Sequence, residues 1–326
     1  MAHTLNVLLL SCLLSLGKLH AVWSSPPPPS IDSVIPKRFI PAVSLIATGY
    51  AGFSYGLYQT WYAPYRTSRF HTYNDWLEWR NMDKAGHLYS AFFQTALLYE
   101  GARWTGLGKT KSLVASSGLS LLFLSTIEVM DGYSSGWGFS FPDMGANLLG
   151  TALFASQAIW LKHPLLRVKW SSVGWTRTNY TVVGSKGTRY SLSEREENLF
   201  GASLPEQLLK NYNATHVWLS INPSTLLSKN SRWPKWLSIA VGLGAGNLYG
   251  GYKNEWTIDG EQFELSSHSF PRYSSIYLSP DLDWTAIHVR NIWLKRLFMV
   301  LNIFKLPAPA LEYRTTGDIK WHWLLY

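Results

Sequence analysis

The stretch that decides the fold runs from residue 83 to residue 150, where three short polar motifs alternate with long apolar segments. In chain order, the motifs are Asp83-Lys84-Ala85-Gly86-His87, Glu128-Val129-Met130-Asp131-Gly132 and Pro142-Asp143-Met144-Gly145-Ala146-Asn147-Leu148-Leu149-Gly150. Ionisable side chains beside long apolar segments cost free energy unless they have partners. The three motifs therefore mark the place where chemistry or recognition is expected.

The spacing of these polar residues predicts three helices, each with one polar face, because residues three or four apart lie on the same side of a helix. If the helices pack side by side, their polar faces converge on one buried cluster. The candidate site residues are Asp83, Lys84, His87, Glu128, Asp131, Asp143 and Asn147. Pro142 suits the first turn of the third helix, where Gly145 and Gly150 would let neighbouring backbones approach closely.

The candidate cluster has three chemical interpretations, which the sequence leaves open. In the first, it is a structural network in which Lys84 forms an ion pair with a carboxylate of another helix. In the second, it binds a divalent metal ion, for which carboxylates and one histidine are suitable ligands, although Lys84 beside them argues against this. In the third, His87 acts as a general acid or base that a carboxylate orients. The metal ligands would be His87, Glu128, Asp131 and Asp143, with Asp83 beside them.

The order of the motifs resembles that of a known family. Asp83-Lys84-x-x-His87, Glu128-x-x-Asp131 and Asp143-x-x-x-Asn147-x-x-Gly150 are similar to the YfiM-like family of envelope proteins (domain of unknown function 2279), over about residues 70–160. The order is also distantly similar to that of VanZ-like membrane proteins, although Asp131 departs from their second-helix ending. Residues 278–284 and 305–312 resemble longer members of the first family. The resemblance implies a bacterial envelope location and no established reaction.

Composition narrows the possible functions of this 326-residue chain. Aromatic and charged residues each make up 15%, and the formal net charge is +9. A mean hydropathy of -0.04 is too low for a fully polytopic transporter; it fits a membrane-seeking part joined to a part whose aromatic residues lie at an interface. Because the positive charge is not clustered with stacking residues, membrane lipid is the expected partner and nucleic acid is not.

The first 38 residues predict export and a spacer. Residues 1–21 have the short apolar run and small cleavage-site residue of a signal peptide, and the only cysteine, Cys12, lies inside it. Residues 22–38 form a proline-rich linker, stiff at Pro26–Pro29. We therefore expect a mature protein without disulfides, exported and membrane-associated, on the outer-membrane or periplasmic side of the envelope.

The remaining chain predicts an α+β fold with two parts. Residues 39–167 form a helical, membrane-embedded domain, with a bundle of about four apolar helices at 39–62, 86–104, 112–130 and 144–161. The polar, aromatic segment before the first motif contributes Arg69, Asn74 and Asp75 as further site candidates. Residues 168–326 form a β-rich module, because short alternating runs bounded by turn residues replace the helical pattern. The expected strands are 175–183, 189–193, 215–222, 236–243, 273–278, 281–288 and 319–326, with helices at 204–212 and 292–304.

Two functional hypotheses remain. The first is a non-catalytic, membrane-associated structural or interaction component of the bacterial envelope, whose partners are lipid and other envelope proteins. The second is an enzyme that modifies an envelope lipid or lipid phosphate with the His/carboxylate cluster. No cofactor other than a divalent metal ion is expected, since Gly242-Leu-Gly244-Ala-Gly246 lacks both the P-loop lysine and a dinucleotide-binding setting.

Overall fold

A computed structural model describes residues 33–63, 65–161, 163–174, 178–227 and 231–325. The predicted signal peptide and most of the predicted linker lie outside the described residues. The chain divides into two compact units. The helical unit contains the described residues up to Asp75 together with Ser90–Trp160, and the sheet unit contains the described residues of Trp76–Tyr89 and Leu161–Tyr326.

Helices predominate before residue 161 and strands after it, so the predicted α+β fold with N-terminal helices is confirmed. The long helices in the described part of the chain are α1 (Pro36–Leu57), α2 (Met82–Trp104), α3 (Lys109–Gly132) and α4 (Phe141–Trp160). A π-helical turn, Tyr58–Tyr62, extends α1. The first eight residues of α2, Met82–Tyr89, belong to the sheet unit, and the rest of α2 belongs to the helical unit.

Aromatic and hydroxyl contacts hold the helical unit together. The Tyr50 ring of α1 stacks on Phe123 of α3, with centroids 4.5 Å apart, and its hydroxyl lies 2.5 Å from the Thr126 hydroxyl. Between α2 and α4, the Phe92 and Phe154 rings meet edge to face at 5.7 Å. These contacts link α1 to α3 and α2 to α4.

On α3 and α4, most of the buried residues are polar or glycine, and several large apolar residues are exposed. The buried side of α3 includes Ser112, Ser116, Ser120 and Glu128, whereas Val114 of the same helix is 70% exposed. Gly150 of α4 is buried as expected, but Gly145 is exposed with no neighbouring atoms where a Cβ would lie, so its predicted packing role is wrong. Within the described residues, α3 alone is long and apolar enough to cross a membrane.

The sheet unit is built on an antiparallel sheet in the order β1-β4-β5-β8-β9-β10, and β2-β3 and β6-β7 form two small hairpins beside it. The strands are β1 (Leu166–Ser172), β2 (Thr181–Val183), β3 (Arg189–Ser191), β4 (Thr215–Ile221), β5 (Leu237–Gly246), β6 (Glu255–Ile258), β7 (Glu261–Glu264), β8 (Tyr273–Leu282), β9 (Ala308–Arg314) and β10 (Ile319–Leu325). The helices of this unit are α5 (Leu192–Phe200), α6 (Leu204–Lys210) and α7 (Ile292–Leu301).

The long sheet curls, so that β1 lies beside the segment that leads into β9. The backbone N–H of Trp170 in β1 donates to the carbonyl of Ile303 at 3.1 Å, and the N–H of Lys305 donates to the carbonyl of Trp170 at 2.9 Å. Residue 308 then begins β9, which three other strands separate from β1 in the sheet order. The curl gives the backbone N–H and carbonyl of Trp170, at the outer edge of β1, hydrogen-bond partners. It also encloses one face of the sheet.

Three local predictions in the sheet unit were wrong. The strand predicted at 281–288 does not form, because β8 ends at Leu282 and the Asp283 carboxylate accepts a hydrogen bond from the Thr285 N–H at 3.0 Å, starting a 3-10 turn. The predicted strand at 189–193 ends at Ser191, where α5 begins. Strands β1, β6, β7 and β9 were missed. In β9, Pro309 argued against a strand, since proline is rare in strands.

Candidate functional site

The predicted site residues are divided between the two units, and each set is described within its own unit. The helical unit contains Glu128, Asp131, Asp143 and Asn147, and the sheet unit contains Asp83, Lys84 and His87. Each group has its own partners, which sequence spacing alone did not identify. We describe the groups as the acidic cluster of the helical unit and the Asp83 group of the sheet unit.

Ser140 is the centre of the acidic cluster. Its hydroxyl donates to Oδ1 of Asp75 at 2.6 Å and accepts from the backbone N–H of Asp143 at 3.0 Å. Its own backbone N–H donates to Oε2 of Glu128 at 3.3 Å. All four residues are buried. Ser140 therefore caps the first turn of α4 and brings carboxylates from three segments of the chain to one place.

Asn147 lies one helical turn after Asp143 on α4, and Asp131 lies one helical turn after Glu128 on α3. Asn147 follows Asp143 by four residues on α4 and has no exposed surface, which confirms the predicted polar stripe as a buried one. Asp131 is half-buried near the end of α3, and its Oδ1 accepts a hydrogen bond from the Tyr62 hydroxyl at 2.8 Å. The carboxylate of Asp131 is thus held by the π-helical turn that follows α1.

The loop after α3 is fixed by the segment that follows α1. The His71 N–H donates to the Gly132 carbonyl at 2.9 Å, and the Phe139 N–H donates to the His71 carbonyl at 3.0 Å. A side-chain nitrogen of His71 also lies 2.6 Å from the Trp137 carbonyl oxygen. These bonds position Asp75 and Ser140, which follow the two paired segments.

In the sheet unit, Asp83 is the residue on which the group is built. One carboxylate oxygen accepts a hydrogen bond from the Tyr212 hydroxyl at 2.9 Å and lies 3.8 Å from Nε2 of His87. The other oxygen lies 3.2 Å from Nζ of Lys84. The distance between Nε2 of His87 and the Asp83 oxygen is too long for a hydrogen bond, and the two groups form an ion pair only when His87 is protonated. The arrangement resembles an acid/base centre in which a carboxylate is oriented by a hydroxyl and faces an imidazole.

The turn that leads into α2 has an unusual backbone. The residues with positive φ values, all between 48° and 72°, are Leu77, Trp79, Arg80 and Asn81. Such values are uncommon for residues other than glycine and cost free energy. The Trp79 ring packs 5.5 Å from the Tyr212 ring, and the Arg80 guanidinium donates to the Arg272 carbonyl at 2.8 Å. These contacts hold the strained turn immediately before Asp83.

Four residues with clear roles were absent from the predicted cluster. Tyr62 and Tyr212 carry hydroxyls that bind carboxylates, but their sequence positions give no signal of it. Ser140 had a signal, since Ser140-x-x-Asp143 is the spacing of a helix cap. Asp75 was named only as a peripheral candidate together with Arg69 and Asn74, both of which are exposed. The structure makes Asp75 a full member of the acidic cluster.

Comparison with known proteins agrees with the central part of this description. A family model described as "Predicted periplasmic lipoprotein (DUF2279)" matches residues 74–157. This span begins just before Asp75 and includes all three motifs, so the predicted resemblance to domain of unknown function 2279 is confirmed there. The YfiM-like and VanZ-like resemblances remain predictions. No curated protein and no solved structure matches the chain.

Proposed function

We propose that this chain is a membrane-associated structural or interaction component of the bacterial cell envelope, without catalytic activity. The description of the matching family model as a predicted periplasmic lipoprotein supports an envelope location. Membrane association is supported by the distribution of polar and apolar side chains in the helical unit. The acidic cluster then acts as a structural network that fixes how α3 and α4 pack.

The observation that carries this proposal is the inverted polarity of α3 and α4. The buried residues of α4 are Asp143, Asn147, Gly150 and Thr151, whereas Leu148 and Leu149 are each 58% exposed. In water, a helix buries its apolar stripe. In lipid there is no hydrophobic drive between helices, so small and polar residues pack together and apolar residues face outward.

The family description also bears on Cys12, the only cysteine in the chain. A lipid anchor would need this thiol, whereas cleavage near residue 21 would remove it. Within our proposal, the two possibilities give membrane attachment by lipid or by the helical unit alone. The mass of the mature protein separates them, because lipidation retains Cys12 with an added acyl mass and cleavage near residue 21 leaves no cysteine.

Flotation with lipid vesicles tests the proposal. We expect the purified chain to float with vesicles of phosphatidylethanolamine and phosphatidylglycerol, and Leu122→Glu and Leu148→Glu to reduce the floating fraction strongly. The reason is that a charge near the centre of a bilayer costs about 2.5–3.5 kcal/mol. Gln262→Glu, at an exposed polar position of β7, is the matched control and should float like the parent chain. A chain that stays soluble without lipid or detergent would contradict the proposal.

An enzymatic function is the second candidate, and the Asp83 group favours it. His87 lies beside a carboxylate that a tyrosine hydroxyl and Lys84 orient, as a general acid or base requires. The substrate class would be an envelope lipid or lipid phosphate. The test is phosphate release from lipid phosphates in vesicles by the parent chain and by His87→Ala, with thermal unfolding of both. Turnover that disappears in a variant as stable as its parent would establish the enzyme.

A further inference from the structure

The long sheet carries apolar side chains on one face in rows that cross every strand. Paired residues of neighbouring strands lie on the same face, so the register defines each row. One row consists of Val168, Leu219, Val241, Leu278, Leu311 and Trp321. The next consists of Trp170, Val217, Leu243, Ile276, Tyr313 and Ile319. We call the surface formed by these two rows the apolar sheet face.

The opposite face of the same strands is polar and buried. Ser220 of β4 donates to the Asp281 carboxylate of β8 at 2.6 Å, and Lys169 of β1 lies 2.7 Å from the same carboxylate. Ser275 donates to Glu312 at 2.6 Å. The curl of the sheet encloses these groups together with a small cluster of aromatic and apolar side chains, so charged and hydroxyl groups share the place where a water-soluble sheet has its aliphatic core.

The glycine-rich run of β5 shows the same inversion residue by residue. Gly242 and Gly244 lie on the enclosed face, where a Cβ would come within 2.6 Å of the Trp218 and His216 rings. Val241 and Leu243, which alternate with them, are exposed. Glycine inside makes room for large rings, and the branched apolar side chains are directed outward.

The apolar sheet face is buried at its first edge, where Val168 and Val217 lie, and exposed from β5 to β10. Leu219 of β4 is 36% exposed, Leu278 of β8 is 52% exposed, and Ile319 of β10 is 68% exposed. The four strands from β5 to β10 extend about 14 Å at their usual spacing. A contiguous exposed apolar surface of this kind marks a contact with membrane or protein.

The segment beside β1 indicates which contact this is. Phe304, just after α7, packs its ring 6.1 Å from the Trp170 ring of the apolar sheet face. The exposed side of α7 includes Leu297 and Val300. Residues 284–305 contain no Asp or Glu, and Arg290 and Lys295 of this segment are exposed. Apolar side chains with only basic charges beside them complement an anionic membrane surface.

We propose that the apolar sheet face is a lipid-contacting surface, with the acyl chains against β5, β8, β9 and β10 and the exposed basic residues Arg290 and Lys295 at the anionic headgroups. In the β-sheets of outer-membrane proteins, apolar side chains point outward to lipid and polar side chains point inward. This inference rests on the proposed membrane association and extends it, because it gives the sheet unit a membrane contact of its own.

Quenching of a site-specific fluorophore by brominated lipid tests this surface. Single cysteines at Val241 and Leu278 carry a bimane label in the full chain, reconstituted in phosphatidylglycerol vesicles with and without brominated acyl chains. The parent chain, labelled in the same way, gives the contribution of Cys12. Lys186→Cys, exposed in the turn after β2, is the water-facing control, and Leu148→Cys on α4 reports on the helical unit. We expect at least twofold quenching at Val241 and Leu278 and none at Lys186.

The outcomes separate this inference from the proposed function. Quenching at Leu148 without quenching at Val241 and Leu278 overturns the lipid contact of the sheet and leaves membrane association standing. No quenching at any of the three positions overturns both. Blue-shifted but unquenched labels at Val241 and Leu278 would show that protein covers the surface, which also overturns the inference. Disulfide-linked dimers of the unlabelled Val241→Cys chain would identify that protein as a second copy. The label at Leu278 is a second, independent probe, so that a local distortion caused by labelling Val241 cannot decide the result alone.

Discussion

Nζ of Lys169 lies 2.7 Å from a carboxylate oxygen of Asp281, and neither side chain has any exposed surface. The same ammonium group donates to the Leu282 carbonyl at 2.8 Å. Burial lowers the pKa of Lys169, and the neighbouring Asp281 opposes that shift. The pair joins β1 to β8, which are not neighbours in the sheet, so it reports directly on the enclosed polar face.

Removing one member of this pair should be much worse than removing both. Lys169→Met and Asp281→Asn each leave a buried group without its ionic partner, and we expect each to lower the free energy of unfolding by about 3–5 kcal/mol. The double variant Lys169→Met/Asp281→Leu should recover most of that loss, since two apolar side chains need no partner. Equilibrium urea unfolding in detergent micelles provides the measurement.

An exposed ion pair is the control for this comparison. Lys253 and Glu255 lie 3.5 Å apart with side chains 74% and 37% exposed. Lys253→Met should change the free energy of unfolding by less than about 1 kcal/mol, because solvent screens such pairs. Equal losses at the buried and exposed pairs would show that Lys169 and Asp281 are not enclosed as described.

A second prediction concerns acid stability. Burial would raise the pKa of Glu312, but hydrogen bonds from Arg314, Ser275 and His322 outweigh it and lower the pKa to about 2. A carboxyl whose folded-state pKa is depressed stabilises the fold above its unfolded pKa, near 4.5, and loses that contribution as the pH falls towards 2. The contribution is roughly 3 kcal/mol. Urea unfolding at a series of pH values should therefore show stability falling between about pH 4.5 and 2.

Glu312→Gln separates this carboxyl from the other acidic residues. The variant should be less stable than the parent chain at pH 7, and the difference should shrink as the pH approaches 2. A difference that stays constant with pH would mean that Glu312 is not the group that titrates.

The sequence was sufficient for the four long helices α1 to α4 and for the change from helices to strands along the chain. The apolar segments around Glu128 and Asn147 are long and have helical spacing, and local pattern determines such elements. Hydrogen bonds between residues far apart in the sequence could not be predicted. Those from Tyr62 to Asp131 and from Tyr212 to Asp83 depend on the tertiary structure. These partners are 69 and 129 positions apart in the sequence, and no local pattern links them.

The sequence also did not show which face of β5 is buried. Alternation in β5 predicts that Val241 and Leu243 share a face, but the period does not state which face is buried. The usual assumption buries the branched apolar residues. The structure buries Gly242 and Gly244 instead, since Trp218, His216 and the enclosed charges fill the inside of the curl. That distinction needed the positions of all six strands.

The glycines of β5 give a third prediction. In Gly242→Ala, the new Cβ would lie 2.6 Å from the Trp218 ring, and Trp218 is itself buried. Because ring and backbone must both shift, we expect a loss of about 1–3 kcal/mol in the free energy of unfolding. Gly187→Ala is unsuitable as a control, since its φ of +92° strains any side chain. Val241→Ala, on the exposed face of the same strand, should cost less in detergent. The reverse order would place the enclosed face on the other side.

A fourth prediction addresses the centre of the acidic cluster. Ser140→Ala removes the hydroxyl that caps the Asp143 N–H and donates to Asp75. Loss of a helix cap and of a buried hydrogen bond to a carboxylate should together cost about 2–3 kcal/mol. Ser135→Ala, at an exposed position of the same loop, should stay within about 0.5 kcal/mol of the parent chain. If Ser140→Ala were equally harmless, Ser140 would not organise the cluster.

The last prediction decides between a structural and a metal-dependent role for the predicted site residues. If they are structural, the chain purified without chelators holds no stoichiometric divalent metal, and His87→Ala and Asp143→Asn each lower the unfolding temperature because a carboxylate or imidazole loses its partner. If they bind metal, elemental analysis finds about one ion per parent chain and little in either variant, and added Zn²⁺ or Mn²⁺ raises the unfolding temperature of the parent chain alone. We expect the first pattern. Metal that is lost from a variant as stable as the parent would reject it and favour the enzymatic candidate.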